Sequence, residues 1–160
     1  MRYFFLSFAL IFSMVCSAQA KPLTTQLPTD ITMEEAQQVL DAALVKAKAQ
    51  GVPMNIAIVD AGGNLKAFLR MDGAFLGSID VATKKAKTAR LFNMPTATLA
   101  KEAQPNKSLY GIEVTNDGLC IFGGGELIVK DNVIIGAIGV SGGSVDEDMN
   151  VAKAGAKAIK

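Results

Sequence analysis

Side chains that carry enzyme chemistry are thinly represented in this chain. It has no histidine, which excludes Ser-His-Asp and Cys-His nucleophiles, imidazole proton shuttles and histidine metal sites. Past the first twenty residues a single cysteine remains, Cys120, too few for a zinc site or an intramolecular disulfide. Set in GLCIFGG, it reads as a buried thiol that behaves as a small hydrophobe. Asp146, Glu147 and Asp148 form a carboxylate run, but they fall in a helix first turn, where the dipole favours negative charge. A weak iron or calcium site is the alternative reading of those three acids. No G-x-x-x-x-G-K-[ST] string occurs, and GGGELIVK does not replace one. The Ser141–Ser144 turn, SGGS, offers backbone N–H groups to an anion, although Ser144 serves equally as a plain helix cap. Lys84, Lys85, Lys87 and Arg90 are the one local basic run. On a helix they project in several directions and read as a solvated face, not the clustered field that nucleic acid requires.

These residues must be positioned by a fold whose elements the pattern outlines. Thr32 and Glu35 make a capping box, and Met33, Ala36, Leu40, Ala43, Leu44 and Ala47 form an apolar stripe that Gly51 ends. Pro53–Asp60 and Asn64–Met71 read as strands joined by Ala61-Gly62-Gly63, a hairpin loop. Alternation in the first strand is imperfect, as expected where both faces are partly covered. Ser78 is placed to cap a second helix with Asp80 in its first turn, and Ile79, Ala82, Ala86 and Ala89 give that helix a small-residue face. Pro95–Ala103 reads as a short helix and Pro105–Gly111 as a loop. Three strand candidates follow, Leu119–Phe122, Glu126–Lys130 and Val133–Val140, with Asp131-Asn132 as a tight turn. Ser144 and Glu147 repeat the capping box, and Met149, Ala152, Ala156 and Ile159 stripe a closing helix. The expected class is α+β, an antiparallel sheet flanked by helices.

The first twenty residues read as an address. Arg2 is a positive n-region, YFFLSFALIFSMV an apolar h-region, and Ala18-Gln19-Ala20 a small-x-small cleavage site. The expectation is export, to the periplasm or the medium, after cleavage following Ala20. Residues 21–31, with two prolines, read as a flexible leader, and residues 32–160 as a single domain. The whole chain carries 16 basic and 15 acidic residues, and loss of Arg2 would leave it neutral. That neutrality, with alanine-rich helix faces, suits a homo-oligomer.

The strongest signal is a set of glycine-punctuated segments, IVDAGGNLKAFLRMDGA at 58–74 and GGGELIVKDNVIIGAIGVSGG at 123–143. Glycines placed where a backbone needs positive φ or close approach point to a shaped cavity. VDAGGNL, RMDGA, GSIDVATKKAKTA, LYGIEVTNDG, FGGGELIVKDN and VIIGAIGVSGG, in that order, resemble the GlcG/HbpS-type haem-binding family. The same domain is found at the C-terminus of PduO-type cobalamin adenosyltransferases. The resemblance implies a profilin-like or PAS-like fold and a small-molecule tetrapyrrole, haem, as cofactor or cargo. Such a ligand needs an apolar slot, cations for its propionates and an axial ligand. Arg70, Lys84 and Lys85 are the candidate cations, and Gly123 and Gly124 the candidate cofactor-binding backbone. Tyr110 and Met71 lead as iron ligands, ahead of Met94 and Cys120. Where the family often has GGH in its first hairpin, this chain has Asn64. The role implied is storage, scavenging or presentation of haem outside the cytoplasm, with a membrane sensor or transporter as a partner. Two alternatives stand beside it: an accessory or sensory module for another small molecule or protein, and a haem-degrading enzyme.

Overall fold

The computed structural model describes residues 29–159. The proposed address segment, its cleavage site, Cys16 and all but the last three residues of the proposed leader lie outside the described residues. Helix α1 spans Met33–Gln50, followed by strands β1, Asn55–Val59, and β2, Leu65–Arg70. Helices α2, Gly77–Phe92, and α3, Thr96–Glu102, come next, then a 3-10 turn at Ile112–Val114. Strands β3, Gly125–Lys130, and β4, Val133–Ser141, and helix α4, Val145–Ala156, complete the chain. No described helix is long and apolar enough to cross a membrane.

The sheet is antiparallel throughout, in the order β2-β1-β4-β3. Strand β1 is interior and all five of its residues are buried, which is why its alternation was imperfect in sequence. Ile56 and Ile58 join Ile128, Ile138 and Val140 in a core beneath α1 and α4. Full burial of each such side chain contributes about 1.5–3 kcal/mol. Ala57, Val59 and Ala137 face the other way, against Ala82, Ala86 and Ala89 of α2. The α2 layer lies so close that a Cβ at Gly139 would collide with the Ala82 carbonyl and the Ala86 amide.

Local signals placed most ends correctly. Both capping boxes form, Gly51 closes α1 in the left-handed conformation, and Asp131 and Asn132 both take positive φ in the β3–β4 turn. Four expectations change. Leu119–Phe122 is not a strand, because the Cys120 amide donates to the Thr88 hydroxyl at 3.0 Å and not to a neighbouring strand. Ser78 is no cap, since α2 begins one residue earlier and the Ser78 hydroxyl instead meets that of Ser141 at 3.0 Å. Met33 is half exposed while Val39 takes a buried place on α1. Ile159 is buried but lies beyond the end of α4.

Candidate functional site

Two regions hold the candidate residues, and they differ in kind. The first surrounds Lys85. From the α2 side of the sheet, its stem reaches the N-terminus of α4 past the glycine run that leads into β3. The ammonium donates to Asp148 Oδ2 at 2.7 Å and to the Val140 carbonyl at 2.9 Å. It also stands 4.8 Å from the centroid of the Phe122 ring. An ammonium has three donors, so two acceptors and an aromatic face satisfy all of it. Lys85 is 0% exposed and Asp148 3%. Burial pushes the Asp148 carboxyl upward, opposed by the Lys85 ammonium and the Gly143 amide, which donates to Asp148 Oδ1 at 3.0 Å.

The glycine run makes this crossing possible. Gly124 has φ +116, and a Cβ there would sit 2.7 Å from Lys85 Nζ and 2.8 Å from the Val140 oxygen. At Gly123 a Cβ would strike the Met149 sulfur, and Gly125 lies against the Lys85 carbonyl while its amide donates to Thr96 Oγ1 at 2.9 Å. The space expected to admit a ligand at Gly123 and Gly124 is filled by the protein's own Lys85, Asp148 and Met149. Two sequence readings are corrected here. Lys85 does not belong to a solvated basic face, because it points into the sheet while Lys87 points out. Asp148 is not simply a dipole complement; it is the counter-charge of a buried lysine. Among the described residues no group of three or more Asp, Glu or Cys is placed to hold a metal ion.

The second region is the open end of β2. A cleft of about 370 Å³ is lined by Leu44, Lys48, Leu69, Arg70, Met71 and Asp72. Met71 packs its inner side on the α1 core and its amide donates to the Met54 carbonyl at 3.0 Å, continuing the sheet by one residue. The loop beyond is tied down by Asn55 Nδ2, which donates to the Phe75 carbonyl at 3.0 Å. Yet Phe75 and Leu76 are 70% and 71% exposed. One place thus offers a thioether, two cations and, a few residues on, an exposed apolar loop.

Other candidates fall elsewhere. Tyr110 is 66% exposed in the segment after α3, and α3 packs on α2 and β3, so Tyr110 and Met71 do not share a site on one chain. Lys84 pairs with Asp80 at 2.9 Å on the outside of α2, which raises its pKa. Met94 is half-buried just past the end of α2. Cys120 is buried, and burial pushes its thiol upward, against the thiolate that ligation requires. Asn64 is locked onto Asp60, its backbone N–H donating to Oδ1 at 2.8 Å and its side-chain Nδ2 to both carboxylate oxygens at 3.3 Å. Sequence reasoning missed the Lys85–Asp148 pair, 63 residues apart; the signal available was a lysine flanked by the buried small residues of the α2 stripe. It also missed Lys48, which only the packing of α1 beside β2 brings to Met71.

Comparison with known proteins places this arrangement. A family model described as haem degrading protein HbpS-like matches residues 31–157. An uncharacterized 15.0 kDa protein from the dhaT-dhaS intergenic region of Citrobacter freundii is 40% identical over 124 residues, covering 77% of this chain and 87% of that one. The corrinoid adenosyltransferase PduO of Salmonella typhimurium is 38% identical over 133 residues, covering 82% of this chain but only 40% of that longer protein. Among solved structures, a PduOC complex with haem superposes with a TM-score of 0.78 at 37% identity, over 82% of this chain and 96% of that one.

Proposed function

This chain belongs to the HbpS-like family, and from that premise we propose that it is a haem-binding protein that holds its ligand at the open end of β2. The observation that carries the haem reading is the 37% identical PduOC neighbour solved with haem, aligned over nearly its whole length. The residues present fit such a group. Met71 would supply a thioether to the iron, Arg70 and Lys48 would pair with propionates, and Leu44 and Leu69 would line the macrocycle edge. When bound, haem brings its own redox chemistry; the chain contributes binding, orientation and exclusion of water. The cleft is at the low end of ligand cavities, roughly 300–1,000 Å³, so it would hold one edge of a tetrapyrrole and leave the rest open. That openness suits storage, scavenging or presentation. The Arg2, apolar run and Ala18-Gln19-Ala20 pattern supports placing this role outside the cytoplasm. Titration with ferric haem tests the reading: a saturable Soret shift is expected, and non-saturating uptake would overturn it.

Haem degradation is the second reading, favoured by the family's description. Its test is loss of bound-haem absorbance with a reductant and oxygen. Loss that persists with catalase present is turnover by the protein, and loss that catalase abolishes is coupled peroxide damage.

A further inference from the structure

Strand β3 is an edge of the sheet, paired only with β4. In an antiparallel pair, alternate residues turn their amide and carbonyl toward the partner strand and away from it. The Gly125 amide points away, to Thr96 Oγ1 at 2.9 Å. Leu127 and Val129, two and four positions on, present theirs on the same outer side. Among the described residues neither makes a backbone bond outside the sheet. Such a row of unpaired groups is a template for an added strand.

Beside this edge runs a cleft of about 330 Å³. Leu127 and Val129 form one wall, and Lys153, Ala156, Lys157 and Ile159, at the C-terminal end of α4, form the other. Both lysines are exposed, four residues apart on one helix face, and neither makes an ion pair among the described residues. Lys130 takes no part, because Glu35 holds it at 2.7 Å. Glu126 shares the cleft without bonding to either lysine. Partial burial holds its carboxyl above the usual range, with Lys153 acting the other way. Complementarity to the helix dipole accounts for lysines at a helix end. It does not account for their standing across a cleft from an unpaired strand edge.

The spacings of the two walls match. Residues two apart on an added strand lie roughly 6.6 Å from each other and point to one face, and residues four apart on a helix are separated by roughly 6 Å along its axis. Helix α4 packs on the sheet face that holds Ile128 and Ile138, so alternate side chains of an added strand would meet Lys153 and Lys157 in turn. The side chain between them would turn to the opposite face, beside Leu127 and the 39% exposed Val129. The groove therefore selects an extended segment with carboxylates at alternate positions and an apolar residue between. Strand β3 itself, with Glu126, Ile128 and Lys130 on the α4 face, lacks that pattern.

We propose that the β3 edge and the C-terminal end of α4 together form a docking groove for an extended acidic segment of another protein, which adds to the sheet as a fifth strand. The groove is independent of haem and uses no residue of the β2 cleft.

Titration of the protein with the blocked peptide Glu-Val-Glu-Val-Glu-Val, followed through backbone amide resonances and hydrogen exchange, tests it. The peptide should shift the Leu127 and Val129 amides saturably and slow their exchange. The same peptide with lysine in place of glutamate should bind at least about tenfold more weakly, since like charges then face each other. Lys153→Glu with Lys157→Glu, both at exposed positions, should reverse that preference. Val129→Pro removes one outward donor from an edge, where proline is tolerated, and should abolish binding, with melting temperature as the control for folding. The proposal is overturned if the two peptides bind alike or if the charge-reversed variant keeps the original preference. It is also overturned if rising protein concentration alone protects Leu127 and Val129, which would assign the edge to a second copy.

Discussion

The Lys85 node and the β2 cleft contain the same kinds of residue, a cation beside a carboxylate and a methionine, yet one is closed and the other open. At the node every donor of Lys85 is engaged, and Gly123 and Gly124 are filled by side chains from the same chain. At the cleft, Arg70 is exposed and Phe75 stands in solvent. The glycine run at Gly123–Gly125 therefore marks where this chain packs against itself, and the ligand site we propose lies at the end of β2.

The comparison breaks most sharply at the node. Asp148→Ala leaves a buried ammonium without its counter-charge and should cost about 3–5 kcal/mol in urea unfolding. Adding Lys85→Met to Asp148→Leu should recover much of that loss, because removing both charges is far cheaper than removing one. A double variant as unstable as Asp148→Ala would show that the loss does not come from the uncompensated ammonium.

Backbone shape gives the next largest effect. Gly124→Ala combines positive φ with a collision against Lys85 Nζ and should destabilise by about 2–4 kcal/mol. Gly77→Ala, where an added Cβ meets nothing within 4 Å and φ is not positive, should instead stabilise by roughly 0.4–1 kcal/mol through the unfolded chain. Thermal melts of the two variants should move in opposite directions.

The smallest effect concerns the helix caps. A hydrogen bond from Lys130, then one from the Thr32 amide, holds the Glu35 carboxyl below its ordinary value. Bonds from the Ser144 amide and hydroxyl do the same for Glu147. Because both folded values are depressed, the folded state binds fewer protons than the unfolded chain in the interval between the two. The stability they add is present above the unfolded carboxylate pKa, about 4.3, and is lost as pH falls through the folded value. Glu35→Gln with Glu147→Gln should lower the neutral part of a stability–pH curve toward its acid value and so flatten the acid side.

Legibility in the sequence followed the range of the interactions. Thr32 with Glu35, Ser144 with Glu147, and the Asp131-Asn132 turn are settled within a few residues, so their signals could be read directly. Leu119–Phe122 misled because its apolar run suits a strand, while the bond that decides its path comes from Thr88 on a helix. Lys85 looked like a surface charge because nothing near it in sequence reveals Asp148. At the cleft, Arg70 and Met71 were legible as a loop-edge pair, but Lys48 joins them only through the packing of α1 beside β2.

The most direct test of the account is a ferric and ferrous haem titration of the protein, Met71→Leu and Tyr110→Phe, followed by absorption spectroscopy. Exchange of methionine for leucine should cost less than about 1.5 kcal/mol of stability, so a changed spectrum would report ligation and not unfolding. The account predicts a Soret band that saturates at one haem per chain, altered by Met71→Leu and unmoved by Tyr110→Phe. A band unchanged by Met71→Leu, or uptake that never saturates, would contradict it.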